Sequence, residues 1–279
     1  TGSSAYDEVL AIVERNRAGQ SVGIYSVCTS HPMALEASMR QAIADDSVLL
    51  IEATANQVNQ FGGYTGMTPA DFPAFIHAIA EKTGLPRDRI ILGGDHLGPL
   101  CWADEAPDVA MEKACELVAA YVAAGFQKIH LDTSMACAGD VEPLDDAAVA
   151  ARAAKLCEAS ERAANVAGNS VMPVYVIGTE VPVPGGATEE LDELSVTLVD
   201  RAAETLAAHK LAFFEANLGD AWDRVIALVV QPGVEFNHTD VYGYKPGNAR
   251  ELSAAVLEFP GVVYEAHSTD YQTKRAYRD

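Results

Sequence analysis

The chain has 279 residues, of which 49% are hydrophobic and 21% are charged, so it can bury a large core and is not of the disordered class. Its net charge of −21 argues against nucleic acid and against anionic membranes as general partners. A phosphorylated substrate is compatible with this charge, because a few backbone N–H groups and one local cation can hold a phosphate.

The cysteines and the apolar runs indicate the compartment. Five cysteines are an odd number, and they include no C-x-x-C pair, which is typical of reduced thiols in a large cytoplasmic protein. No apolar run approaches the roughly 18 residues of a membrane span. The chain also shows no signal-like start. We therefore expect a soluble, cytoplasmic protein.

Short β-branched runs alternate along the chain with long Ala-rich amphipathic stretches. This alternation predicts seven strands, each followed by helical sequence where the chain continues. Repeated β-then-α units form a parallel sheet with right-handed crossovers. The predicted strands span residues 21–28, 47–54, 89–94, 128–134, 173–180, 225–233 and 261–268.

The length and the single composition class favour one (β/α)8 TIM barrel over residues 1–279 rather than an open α/β sheet. No G-x-G-x-x-G follows the first strand, which argues against a dinucleotide-binding fold. A closed barrel needs an eighth strand, which the pattern does not supply. Either the C-terminal part of the barrel is missing from this chain or one strand is overlooked, and we favour the first explanation.

The carboxyl ends of the predicted strands are rich in polar side chains. In TIM-barrel enzymes the chemistry lies at these ends, and a barrel built for stability alone would not need this density. The groups can bind a metal ion, donate a hydrogen bond or move a proton. They are Cys28 and Ser30, residues 52–56, Asp95 and His96, Asp132 and Ser134, Glu180, Gln231, and Glu265, His267 and Asp270.

Two Gly-rich loops follow strands at the same end. "NQFGGYTGMTP" (59–69) is a candidate lid or substrate loop whose backbone N–H groups could receive an oxyanion. "VPVPGGATEE" (181–190) has the composition of a gating loop, although such a loop is often only a connector.

Alternation within two strands predicts which side chains face the barrel interior. In "KIHLDTS", Ile129 and Leu131 share one face, so Lys128, His130 and Asp132 share the other. In "VVYEAHS", the interior set is residues 263, 265 and 267. Two interpretations stay open for the charged set: a functional site, or a buried salt-bridged network that fixes the core.

A metal site is the sharpest interpretation of the histidines. His96 and His267 follow the third and seventh strands and could converge on a divalent ion across the barrel mouth. Two histidines and a carboxylate form a usual catalytic set, with acidic neighbours to orient the rings. The alternative is that each histidine is a satisfied core residue.

Several long blocks resemble one known family, the Z-type subunit of D-tagatose-1,6-bisphosphate aldolase, or GatZ/KbaZ. The resemblance runs from about residue 23 to residue 273. The blocks are "GIYSVCTSHP", "LIEATANQVNQFGGYTGMTPADF", "GGDHLGP", "KIHLDTSMAC", "VVQPGVEF" and "YEAHSTDYQT".

The resemblance implies a TIM barrel that acts in galactitol, tagatose and N-acetylgalactosamine catabolism. It implies an oligomer with a Y-type partner subunit, a class II zinc aldolase that the Z-type subunit stabilises. Some family members carry the name tagatose-6-phosphate kinase, and related barrels epimerise ketoses or ketonic acids at carbon 4 with a metal.

A fainter pattern resembles the class II aldolases themselves. It implies that Asp95 transfers protons and that His96 and His267 bind the metal, which would be zinc. Asp132 resembles the strand-four acid of those enzymes, and Glu180 resembles the acid of their mobile loop. Their strand-six histidine has no match, because this chain has Gln231, a neutral ligand, in its place.

Three hypotheses follow for the activity. The first is an accessory subunit that retains a remnant sugar-phosphate site. The second is a metal-dependent aldolase or C4-epimerase acting on a ketose, its phosphate or a ketonic acid, with catalytic residues Asp95, Asp132, Glu52 and Lys128 and metal ligands His96, His267, Glu180 and Gln231. The third is the kinase, although no G-x-x-x-x-G-K-[ST] occurs. The expected substrate-binding residues are Ser26, Asn56, Gln57, Ser134 and Glu265.

Overall fold

A parallel sheet organises the computed structural model, which describes residues 4–179 and 194–278. Seven strands pair in chain order, all parallel, which confirms the predicted α/β fold. Within the described ranges, the sheet has no eighth parallel strand. The strands are β1 (Ser26–Cys28), β2 (Leu49–Thr54), β3 (Ile90–Leu97), β4 (Lys128–Leu131), β5 (Val174–Ile177), β6 (Val225–Val229) and β9 (Val263–Glu265).

A short antiparallel pair, β7 (Glu235–Phe236) with β8 (Val241–Tyr242), lies between β6 and β9 in the chain and was not predicted. The helices are α1 (Ala5–Arg17), α2 (Pro32–Ala44), α3 (Asp71–Thr83), α4 (Pro107–Ala123), α5 (Asp146–Ala167), α6 (Val199–Glu215), α7 (Gly219–Trp222) and α8 (Arg250–Ala255). Helix α1 precedes β1, and the other helices lie between the parallel strands in the chain. No helix in the described part of the chain combines the length and the apolar character needed to cross a bilayer.

The core has two layers. The larger one lies between the sheet and helices α2–α8, and it includes Ile51, Leu92 and Ile129. The smaller one fills the sheet interior, where Leu50 and Ile91 pack against α1. Alternation along each strand sends successive side chains to these two layers.

Helix α1 closes the amino-terminal end of the interior and was not predicted. Ser4 and Asp7 form a capping box at its start, and Ala5, Tyr6 and Val9 are its buried residues. The Tyr6 hydroxyl donates to the Met172 carbonyl at 2.8 Å. Apolar side chains of α1 therefore fill this end of the interior.

His209 on α6 is a packing residue, not a site residue. Its side chain is buried, and Nδ1–H donates to the Thr205 carbonyl at 2.8 Å. Nε2 is buried with no hydrogen-bond partner among the described residues. Burial lowers the pKa of His209 more than the Thr205 carbonyl raises it, so the folded protein holds a neutral ring.

The lowered pKa of His209 predicts a loss of stability on acidification. Below about pH 6.5 the unfolded chain binds a proton that the folded chain does not. The free energy of unfolding therefore decreases as the pH is lowered. Urea titrations of wild type and His209→Leu at pH 7.5 and pH 5.0 test this. Between pH 7.5 and pH 5.0 the variant should lose less stability than wild type, and the difference between the two losses should be at most about 2 kcal/mol.

His238→Leu is the matched control, because it removes a histidine that is exposed in a loop and not buried on a helix. Equal pH dependence of wild type and His209→Leu would contradict the role given to His209.

Candidate metal centre

A bulge in β3 builds the centre. Gly94 of β3 pairs with Ile129 of β4 and Leu97 pairs with Leu131, so Asp95 and His96 together lie opposite the single residue His130. His96 adopts a positive φ of 46°, a conformation that non-glycine residues rarely take. Strict alternation would send these two side chains to opposite faces. The bulge instead turns both toward the interior.

His130 of β4 lies beneath the bulge, on the interior face that the alternation predicts. Its Nε2–H donates to the Gly178 carbonyl at 2.8 Å, which leaves Nδ1 to face the bulge. Nδ1 lies 3.2 Å from the His96 amide nitrogen and 3.1 Å from Asp95 Oδ1. His130 is completely buried, so these contacts define its position.

His267, which follows β9, meets His96 across the interior. His96 Nε2 and His267 Nδ1 are 2.9 Å apart. The outer nitrogens are held by carboxylates: His96 Nδ1 lies 2.8 Å from Asp132 Oδ2, and His267 Nε2 lies 3.1 Å from Glu265 Oε1. A hydrogen-bonded row therefore runs from Asp132 through both rings to Glu265.

Both carboxylates at the ends of this row are ionised. Burial favours the neutral acid, but the hydrogen bond from His96 and the nearby imidazoles outweigh burial and lower the pKa of Asp132 to about 2. Burial is likewise outweighed at Glu265, where the Lys128 charge and the His267 hydrogen bond lower the pKa to about 2. Each end of the row can therefore only accept hydrogen bonds.

The protons in this row indicate a cation site. Three contacts between acceptor ends need three ring N–H groups, one more than two neutral imidazoles supply. In one arrangement a ring is an imidazolium. This agrees with the pKa of His96, which burial lowers but Asp132 and Asp95 raise by a larger amount. In the other arrangement the lone pairs of His96 Nε2 and His267 Nδ1 point into the same space. The second arrangement is that of paired metal ligands whose outer N–H groups are fixed by carboxylates.

Four residues, which we call the histidine cluster, could hold a metal ion: Asp95, His96, His130 and His267. Each offers one ligand atom, and these atoms lie within 4.8 Å of one another. The structure thus brings together both histidines predicted as ligands. His130 was predicted to face the interior but not to bind metal. Glu180, the predicted loop ligand, lies outside the described residues.

Below the histidine cluster lies a second polar group, which we call the lysine triad: Glu52, Lys128 and Glu265. Lys128 Nζ lies 2.7 Å from Glu52 Oε1 and 2.8 Å from Glu265 Oε2. Gly93 makes room for it, since a Cβ there would lie 2.4 Å from Glu52 Oε1. Burial lowers the pKa of Lys128, but the Glu265 and Glu52 charges outweigh burial and raise it, so the amine is charged.

The predicted ligand Gln231 has a different use. Its side chain is buried, and Oε1 accepts hydrogen bonds from the amides of Gly233 and Val234 at 2.8 and 2.9 Å. The backbone N–H of Gln231 donates to Thr197 Oγ1 at 2.8 Å. The carbonyl that would bind a metal is thus engaged in the turn after β6.

The predicted substrate residues are dispersed. Ser26 is exposed on β1, and Asn56 is exposed in the loop after β2. Gln57 is buried, with Oε1 accepting the Thr54 amide at 2.9 Å. Ser134 donates to Asp132 Oδ1 at 2.7 Å, so it supports the histidine cluster through Asp132. Glu265 belongs to the lysine triad.

The sequence predicted that backbone N–H groups of the loop over residues 59–69 could receive an oxyanion. In the structure, several of these N–H groups are already hydrogen-bonded. The amides of Phe61 and Gly63 donate to Asn59 Oδ1 at 2.9 and 3.1 Å, and the Tyr64 amide donates to the Asn56 carbonyl. The loop instead borders an open groove of about 660 Å³. The groove is lined by Asn56, Asn59, Phe61, Gly63, Tyr64, Cys101 and Trp102.

Comparison with known protein families identifies the family of this chain. A family model described as D-tagatose-1,6-bisphosphate aldolase subunit GatZ/KbaZ-like matches residues 9–279. The chain belongs to the GatZ/KbaZ-like family. Curated GatZ subunits of D-tagatose-1,6-bisphosphate aldolase from Salmonella heidelberg (strain SL476) and Klebsiella pneumoniae are 56% and 55% identical to it over 267 residues. These matches cover 96% of this chain and 63% of each relative, so the chain spans less than two thirds of their length.

Solved structures agree with this family placement. A structure from Sinorhizobium meliloti 1021, described as a probable tagatose 6 phosphate kinase, has a TM-score of 0.81 and 49% identity, covering 91% of this chain and 60% of its own. A fructose-bisphosphate aldolase from Campylobacter jejuni has a TM-score of 0.52 at 16% identity, covering 99% and 72%. The second likeness shows a shared fold for this GatZ/KbaZ-like chain.

The geometry predicts that the protein binds one divalent ion and that His96 is essential for it. After incubation with Co²⁺ and dialysis, wild type should retain about one ion per chain. His96→Ala should weaken affinity by more than the 10- to 100-fold typical of losing an outer hydrogen bond, because a ligand atom is removed. Metal analysis and Co²⁺ absorption report both results.

His77→Ala is the control, because His77 lies on α3, outside the histidine cluster. Equal retention by wild type, His96→Ala and His77→Ala would mean that the ion binds elsewhere, and no retention by wild type would reject the site.

Proposed function

We propose that the chain is a component of a D-tagatose-1,6-bisphosphate aldolase, acting as an accessory subunit that stabilises a class II aldolase partner of the Y type. The observation that carries this proposal is the 56% identity to proteins named as the GatZ subunit of that enzyme. A protein named as a subunit has a partner subunit, which supports the proposed aldolase partner.

The site geometry supports an accessory role. The class II aldolase pattern has a histidine after strand six, whereas this chain has Gln231, whose Oε1 is engaged by two backbone amides. His130 of β4 lies with His96 and His267 instead. The third imidazole would thus come from β4 and not from strand six, which supports a role other than that of the aldolase centre.

The substrate class proposed for this barrel is a ketose phosphate. The open groove borders the carboxyl ends of β2 and β3, near the strand ends that carry the histidine cluster. Its volume is in the range of small-molecule sites, and it combines Asn56 with exposed Phe61 and Tyr64. Sugar phosphates and five free thiols both fit a cytoplasmic location.

Zinc is the proposed ion, because imidazole and carboxylate donors suit it. His96 and His267 would hold it, with His130 Nδ1 as a third nitrogen. When bound, such an ion supplies Lewis-acid polarisation of the substrate's carbonyl and hydroxyl oxygens.

A second candidate is catalysis by this chain alone, and the preformed histidine cluster favours it. Retro-aldol cleavage and C4 epimerisation both break the C3–C4 bond, with the O4 proton passing to a base. Asp95 is the carboxylate next to His96 and His267. Burial favours its neutral form, but the contact with His130 and the nearby imidazoles outweigh burial and hold its pKa well below the usual value, so Asp95 is ionised and can accept a proton. Asp132 stays ionised beside His96, whereas Glu52 is bound to Lys128 below the cluster.

Co-expression tests the accessory role. The chain should co-purify with a Y-type subunit and raise its midpoint of thermal unfolding, and the isolated chain should be inert toward D-tagatose 1,6-bisphosphate. Arg40→Ala on the exposed face of α2 is a control for nonspecific surface effects. If no Y-type subunit binds the chain or gains stability from it, the accessory role is wrong.

A substrate panel tests the second candidate. The zinc-loaded chain is incubated with tagatose, fructose, tagaturonate and tagatose 1,6-bisphosphate, and with tagatose 6-phosphate plus ATP for the kinase hypothesis. Turnover that falls by about 100-fold or more in Asp95→Asn would support catalysis through Asp95. An unchanged panel rejects independent catalysis, and phosphate transfer from ATP would favour the kinase.

A further inference from the structure

The lysine triad connects strands that the sheet does not bring side by side. Lys128 extends from β4, and its amine contacts Glu52 of β2 and Glu265 of β9. In the strand order, β3 separates β4 from β2, and β5 and β6 separate it from β9. Since the described sheet shows no pairing of β1 with β9, this ion group is a direct link across the interior.

Glu265 uses its two oxygens for different partners. Oε2 binds Lys128 Nζ at 2.8 Å, and Oε1 lies 3.1 Å from His267 Nε2. A carboxylate held at both oxygens has a fixed plane, and the imidazole that donates to it is fixed in turn. His267 Nδ1 is thereby directed at His96 Nε2, 2.9 Å away.

We propose that Lys128 is a positioning residue of the metal centre: it anchors Glu265, and Glu265 orients His267 toward the ion. The inference rests on the proposed metal-binding function and adds a residue that does not touch the metal or the substrate. Lys128 is only 3% exposed, and both of its described ionic partners are glutamates, so its charge is used inside the triad.

A purely structural role for Lys128 makes a different prediction from a positioning role. Glu52 binds the same amine from the other side but makes no described hydrogen bond to the histidine cluster. If the triad only stabilises the core, replacing Lys128 or Glu52 should lower stability and leave metal affinity similar in both variants. If Lys128 positions His267, only the Lys128–Glu265 side of the triad should control metal affinity.

The experiment measures Zn²⁺ affinity by competition with a chromophoric chelator. Lys128→Met and Glu265→Gln should each weaken Zn²⁺ binding by about 10- to 100-fold, the usual effect of losing an outer partner of a ligand. The double variant should be no weaker than the weaker single variant, because both changes remove one pathway. Glu52→Gln, the matched control, should stay within about threefold of wild type.

Circular dichroism verifies that each variant is folded. If Lys128→Met does not fold, Lys128→Gln replaces it, with weakened Zn²⁺ binding again expected. Wild-type affinity in the Lys128 variant, or losses that multiply in the double variant, would overturn the inference. An equal loss in Glu52→Gln would also overturn it, in favour of a structural role.

A metal-free measurement separates this inference from the proposed function. The ring ¹⁵N–¹H correlations of His267 should change in Lys128→Met and stay unchanged in Glu52→Gln. If wild type binds no Zn²⁺, the metal centre is rejected, while these spectra still test whether Lys128 orients His267. If wild type binds Zn²⁺ and the His267 spectra do not respond to Lys128, only the positioning role is wrong.

Discussion

The bulge in β3 is the constraint on which the candidate site depends. By placing Asp95 and His96 opposite one residue of β4, it turns two consecutive side chains inward where a regular strand would turn one. The strained φ of His96 is held by its ring contacts with Asp132 and His267 and by its amide contact with His130. Strain maintained by several partners is common where a side chain must have a fixed direction.

The buried negative charge of four acidic side chains explains why Lys128 and the imidazoles lie beside them. Glu52, Asp95, Asp132 and Glu265 lie in one small region of the interior, and Lys128 is the lysine that reaches it in the described structure. Such a set of acids is costly to bury unless positive charge compensates it. Lys128 compensates the lower part of the region. The upper part has imidazoles, which compensate the negative charge by binding either a proton or a metal ion. The electrostatics and the ligand geometry therefore both favour a bound cation.

Periodicity predicted much of this arrangement. Alternation correctly placed Lys128 and His130 on the interior face, and seven β-then-α units predicted the parallel sheet. It could not predict the β3 bulge, because a one-residue insertion in register has no period and depends on the neighbouring strand. Helix α1 has a local sequence signal, the Ser4–Asp7 capping box, although no predicted strand precedes it. The engagement of Gln231 depends on turn geometry, which residue type alone does not specify.

His130 and Gln231 together bear on the choice between the two proposed functions. Where the aldolase pattern has an imidazole from strand six, this chain has a turn-forming glutamine, and a third imidazole comes from β4. The Nδ1 of that imidazole already contacts the His96 amide and Asp95, so a bound ion would compete with the contacts that support the bulge. His96 and His267 are the two imidazoles of the cluster whose facing nitrogens would hold an ion without breaking these contacts. The strand that supplies the third imidazole thus differs from that of the aldolase pattern, which supports the accessory role.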